Sequence, residues 1–196
     1  IKAIISYVDN QGFSEQVTTS SKNIYFSVAN NTTTGITADG GTGNDLLIGS
    51  KNNDTLKGLG GDDEIQGGDG DDTIEGGDGD DTIYGEEGND VIIGGKGFDI
   101  IYGGSGDDDL SVGWSPGYGD GESEVQVIDA GSGDDFIKAG KEPVKIIAGT
   151  GNDLIHGSSY ISHLDLGDGD DTIITEHYTL TTPTLFDGGA GHDTIT

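Results

Sequence analysis

An aspartate falls at the sixth place of a nine-letter word twelve times in this chain: Asp45, Asp54, Asp63, Asp72, Asp81, Asp90, Asp99, Asp108, Asp135, Asp153, Asp171 and Asp193. The words are spelled mostly with glycine and acid, and GGDGDDTIE and GGDGDDTIY stand in tandem from Gly67 to Tyr84. Such spelling is unfavourable by itself, because glycine loses the most conformational freedom on folding and crowded carboxylates repel one another. A hard cation reverses the second effect. Carboxylates from successive turns, joined by outward-facing backbone carbonyls, form the all-oxygen cage of roughly six to eight ligands that calcium takes. Magnesium fits less well, since it demands a strict octahedron and keeps its waters.

The elements that must hold these carboxylates are written into the rest of the word. From Gly40 the eighth letter is aliphatic in eight consecutive words: Leu47, Leu56, Ile65, Ile74, Ile83, Ile92, Ile101 and Leu110. The frame continues through VGWSPGYGD, GESEVQVID, AGSGDDFIK, AGKEPVKII, AGTGNDLIH, GSSYISHLD and LGDGDDTII. That makes fifteen words from Gly40 to Ile174, in which only Gly119 breaks the aliphatic eighth letter. In this second half the acid recurs every eighteen residues, alternating with Gln126, Val144 and Ser162. A coil of two words, with one turn on each side, explains both periods. One side then keeps its aspartates and the other loses them after Asp108. One column runs through Asp45, Asp63, Asp81, Asp99, Asp135, Asp153, Asp171 and Asp193, and the other through Asp54, Asp72, Asp90 and Asp108.

Letters seven to nine read as a short strand with one inward side chain. Letters one to six read as a turn, where glycine permits positive φ and close backbone approach. One buried aliphatic side chain per strand does not offset the entropy of ordering nine residues. Coils about 4.8 Å apart bring successive turns together. A cation site held at about a hundred times its dissociation constant then contributes about 2.7 kcal/mol, so several such sites decide whether the chain folds.

Composition narrows the function further. There are 37 acidic residues against 8 lysines and no arginine, for a net charge of −29, which excludes the basic face that nucleic acid requires. A hydrophobic content of 31% at this charge would suggest disorder, but the strict periodicity argues against it. The chain has no cysteine, no run long enough to span a bilayer and no signal peptide. It carries no HExxH, and neither a phosphate-binding loop nor a GxSxG in the right context, the GWSPG at 113–117 lying in a glycine-rich word rather than between a strand and a helix, and it reads as non-enzymatic. His156, His163, His177 and His192 fall at unrelated letters of the repeat, as isolated surface imidazoles rather than a zinc site. Ile1 opens in what reads as mid-strand, as an excerpt of a longer protein would.

GGDGDDTIE and its neighbours resemble the RTX nonapeptide, GGxGxDxUx, almost continuously over residues 40–111 and again at 130–138, 148–156, 166–174 and 188–196. The resemblance implies an all-β fold, a right-handed parallel β-roll solenoid with calcium bridging each turn to the turn one coil later. It implies ligands from the sixth-letter aspartates, from backbone carbonyls and from the fifth letters. Those fifth letters are Asn44, Asp62, Asp71, Asp80, Asn89, Asp107, Asp134, Asn152 and Asp170. Pairing turns eighteen residues apart gives about nine calcium ions. GSKNND departs from the pattern, with Lys51 and Asn52 where small letters belong, and AGKEPVKII and GSSYISHLD should form strands without metal.

Residues 1–39 precede the words as a short antiparallel β hairpin or N-terminal cap for the first coil. KAIISYVDNQGFSEQVTTS alternates through Ala3, Ile5 and Tyr7 into a DNQG turn and a second strand through Val17. It resembles the last strands of the Ig-like repeats of tandem bacterial adhesins. The β-roll of residues 40–174 is interrupted by an irregular turn at 112–129, where VGWSPGYGD holds the one tryptophan. That stretch reads as a bulge over an unfilled site rather than a recognition loop. Residues 175–187 read as an edge-covering flap ahead of the final word at 188–196.

The expected function is a calcium-binding structural module of a secreted or cell-surface bacterial protein, of adhesin or surface-layer type. It would stay unfolded in the calcium-poor cytoplasm and fold after type I secretion, at the surface of a Gram-negative cell. The alternative is the C-terminal folding and secretion appendage of an exported enzyme or RTX toxin. A minor alternative is ice or surface binding through the GTGND words at 41–45 and 149–153. Calcium is the expected partner, with other copies of the chain or a cell-surface ligand beside it. Nucleic acid and membrane insertion are not expected.

Overall fold

The computed structural model describes residues 35–113, 125–140, 143–157, 161–175 and 185–196, together with the backbone of the strands Ile4–Val8, Ser14–Thr18 and Tyr25–Ser27. Every regular element among them is a β-strand. The eighth-letter aliphatics set the register. Ile74 lies beside Leu56 on one edge and Ile92 on the other, while Ile83 lies between Ile65 and Ile101, all in parallel pairs. Successive words therefore alternate between two sheets, of eleven and nine strands among the described residues, and the coils stack into a β-solenoid. Between the sheets the eighth-letter side chains from Leu47 to Ile173 form a continuous core without solvent contact.

The strands are longer than letters seven to nine. Thr73–Asp78 and five others are six residues long, running on through the first three letters of the next word and leaving only letters four to six as the turn. Each has two buried positions, the aliphatic eighth letter and the glycine at letter one, as in Ile74 and Gly76. The reason is steric. A glycine at letter one lets the ladder continue inward where a side chain would strike the next coil.

The chain enters this stack through its N-terminal hairpin. Ile4–Val8 pairs antiparallel with Ser14–Thr18 and also with Thr37–Gly41, where Ile5 faces Ala38. Tyr25–Ser27 pairs in parallel with Leu46–Ile48. The parallel ladders thus begin with strands that precede the first full word.

The assignment of columns in the second half is overturned. Ile101 pairs with Ile128, and Leu110 with Ile137, both 27 residues on rather than 18. The coil between Gly113 and Gln126 is one whole word longer than the others. An insertion of nine residues preserves the count in nines while moving every later word to the opposite sheet. The Trp114 to Glu124 stretch, with its expected bulge, lies outside the described residues, as does most of the 175–187 flap. At the C-terminal end Phe186 pairs with Leu164, and Ile195 with Ile173, and these two eighth-letter-type positions are 46% and 57% exposed.

Candidate metal centres

The short turn places each sixth-letter carboxylate in the gap between its own coil and the one before. There Oδ1 accepts the backbone N–H of the preceding sixth-letter residue. Asp45 donates to Asp63 at 2.7 Å, Asp63 to Asp81 at 2.9 Å and Asp81 to Asp99 at 3.1 Å. On the other side Asp54 donates to Asp72, Asp72 to Asp90 and Asp90 to Asp108 at 2.7–2.8 Å. The same bond crosses the long coil, from Asp108 to Asp135 at 2.8 Å, and continues to Asp153, Asp171 and Asp193. The long column is therefore 54, 72, 90, 108, 135, 153, 171, 193. The short one is 45, 63, 81, 99, and its side loses acid after Asp99 rather than after Asp108.

The second oxygen has no such bond. Oδ2 of Asp63, Asp72, Asp81, Asp90, Asp99, Asp108, Asp135, Asp153 and Asp171 is buried without a hydrogen-bond partner. Buried polar atoms are almost always paired, and a bare carboxylate oxygen away from water is costly. Burial accordingly pushes Asp63, Asp72, Asp81, Asp99, Asp108 and Asp153 up to about 7, and Asp90 and Asp135 to about 6. The N–H bond to Oδ1 opposes that shift, and neighbouring acids add to it. Asp171 is raised for the same reasons.

Six of the orphaned oxygens, those of Asp63, Asp72, Asp81, Asp90, Asp99 and Asp108, lie against the letter-one glycine of their own word. A Cβ built on Gly103 would fall 2.5 Å from Oδ2 of Asp108 and 2.5 Å from the carbonyl of Ala130 in the next coil. Glycine thus keeps open a space where a carboxylate oxygen and a backbone carbonyl converge. These glycines are the part of the site that the sequence reading assigned only to the turn. The signal was present in the letter-one glycines of words three to eight, Gly58 to Gly103.

The fifth letters occupy a different place. They lie on the exposed outside of the turn, and their Oδ1 atoms reach forward instead of back. Asp62 accepts from the N–H of Asp80, Asp71 from Asn89, Asn89 from Asp107, Asp107 from Asp134, Asp134 from Asn152 and Asn152 from Asp170, at 2.7–3.1 Å. Asn44 likewise accepts from Asp62, Asp80 from Phe98 and Asp170 from His192. The structure does not gather them with the sixth letters. Among the described residues no three His, Cys, Asp or Glu side chains converge on one point. A cation in a gap would take its remaining ligands from backbone carbonyls.

Two turns supply their own donors. The N–H of Ser50 donates to Oδ2 of Asp54 at 2.5 Å and its hydroxyl to Oδ1 at 3.1 Å, so the GSKNND turn satisfies its own carboxylate. At position 126 the carboxylate is replaced by an amide, whose Nε2 donates to the carbonyl of Gly97 at 2.9 Å. Elsewhere the donor set is oxygen alone, partly anionic and shielded from water, which fits a hard divalent cation.

Comparison with known proteins agrees with this chemistry. The family model for the RTX calcium-binding nonapeptide repeat (4 copies) matches residues 39–74, 57–92, 84–114, 120–142 and 147–176. No curated protein matches the chain. With more than half of its length covered by that repeat, the chain belongs to the RTX calcium-binding nonapeptide repeat family.

Proposed function

We propose that calcium occupies the gaps lined by the nine orphaned aspartate oxygens, and that the chain folds when it meets calcium outside the cell. The observation that carries this reading is the repeated buried Oδ2 without a donor. In each gap the sixth-letter aspartate would hold the ion together with backbone carbonyls of the two turns. The ion would supply charge neutralisation and a link between coils. The fifth-letter residues would act by fixing the backbone of the turn, with Asp193 at the more open end of its column. Without the ion, a charge of −29 and nine uncompensated carboxylates keep the chain expanded, a state suited to passage through a type I secretion channel.

The parent is read as a secreted or cell-surface bacterial protein of adhesin or surface-layer type. Support comes from the strands Ile4–Val8 and Ser14–Thr18, which pair antiparallel and add to the edge of the solenoid strand Thr37–Gly41 as the end of a preceding β domain would. Calcium counted by mass spectrometry on the gel-filtered, calcium-loaded chain should give about nine ions. A chain that retains none would overturn the reading. Deleting the module from the parent should abolish cell-surface attachment. Loss of export of an enzymatic or pore-forming activity instead would favour the appendage of an enzyme or toxin.

A further inference from the structure

Asp99 is the last aspartate of the short column. One coil on, the sixth letter is Gln126, fully buried and held in register by the bond from Val127 N–H to the Asp99 carbonyl at 3.0 Å. Its side chain enters the gap that a carboxylate at this position would enter, as Asp99 and Asp81 do one and two coils earlier. The group it brings is different. Nε2 donates at 2.9 Å to the carbonyl of Gly97, the fourth letter of the Asp99 word and so part of the turn that walls the gap.

We propose that Gln126 terminates the short column by filling with its own amide the gap that would otherwise take an ion. The proposal rests on the calcium reading of the preceding turns. A carboxamide carries no charge to neutralise, and its N–H groups sit where positive charge is required, so this gap neither needs nor admits a cation. Beyond it the same side continues with Val144, buried and apolar, and with Ser162, whose hydroxyl donates to the Val144 carbonyl at 3.0 Å. One amide thus separates the acid-lined stretch of this side from the metal-free stretch. Ser50 provides a parallel case on the other side, where protein donors occupy both oxygens of Asp54. Oε1 of Gln126 is buried without a donor, and a ligand role for that oxygen is the alternative that the experiment separates.

The test is a count of bound calcium on the full chain and on Gln126→Asp and Gln126→Ala, with thermal melts in saturating calcium. Gln126→Asp should fold in calcium and bind one more ion than the wild-type chain. Gln126→Ala should bind the same number as wild type and melt lower by roughly 2–12 °C, because the Gly97 carbonyl loses its buried donor. An unchanged count in folded Gln126→Asp, or a Gln126→Asp chain that stays unfolded in calcium, would overturn the proposal. So would a Gln126→Ala chain that binds one ion fewer, which would make Gln126 a ligand, or one that melts as wild type does. A wild-type chain that binds no calcium would instead remove the function on which the proposal rests.

Discussion

The N–H of Asp72 donates to Oδ1 of Asp90 at 2.8 Å across one coil, and the same contact leaves Oδ2 of Asp90 buried without a donor. One carboxylate therefore does two opposed things. It ties two coils together through the backbone, and it places a bare anionic oxygen between them.

Replacing Asp90 with Asn keeps the first role and removes the second, so its effect should change sign with calcium. In calcium the variant should lose about 2–3 kcal/mol, the contribution of one site well above its dissociation constant. In chelator it should gain stability, since the amide nitrogen can donate to the Gly103 carbonyl, which lies beside Oδ2 at the Gly85 cradle. Urea unfolding in calcium measures the loss, and circular dichroism in chelator, where the variant should show more β structure than the wild-type chain, measures the gain.

The raised aspartates predict how the calcium-stripped chain responds to acid. Their folded values of about 6 to 7 lie above the ordinary 3.8, so the folded form binds more protons between those limits. Their contribution to stability is complete below about pH 3.8 and is lost as the pH rises through about 7. Circular dichroism of the stripped chain should show more β structure at pH 4 than at pH 8. Calcium affinity should run the other way, falling as the pH drops below about 7 with protons released on binding.

Gly79 has φ +140°, and a Cβ there would press on the backbone of Gly61 one coil earlier, 2.5 Å from its carbonyl carbon. Gly79→Ala is strained by both the angle and the contact. It should destabilise the calcium-loaded form by roughly 1–3 kcal/mol in a thermal melt.

Leu59 provides the reverse case. It holds φ +78° at the second letter of its word, where glycine is common, and it is 49% exposed. Leu59→Gly removes the strain of a left-handed residue and gives up little packing. A gain of about 1 kcal/mol is expected in the same melt.

The eighth-letter core was fully legible in the sequence, because the demand for one aliphatic side chain per strand recurs wherever a strand passes between the sheets. The sixth-letter aspartates were legible for the same reason. The side on which each later aspartate lies was not, since the insertion before Gln126 is one whole word long and leaves the period intact. Its trace was Gly119, the one eighth letter that is not aliphatic. The extra strand length was hidden because glycine at letter one signals a turn as readily as a buried ladder position. Self-satisfaction of Asp54 by Ser50 depends on the folded turn, and only Lys51 and Asn52 marked the word as irregular.

The central claim is that calcium completes this fold. It is tested most directly by sedimentation velocity with circular dichroism at neutral pH, in chelator and then across a calcium titration, with magnesium as the control. The account predicts an expanded chain in chelator and in magnesium, and a cooperative change to a compact β structure in calcium. A chain already compact and β-structured in chelator at neutral pH would contradict it.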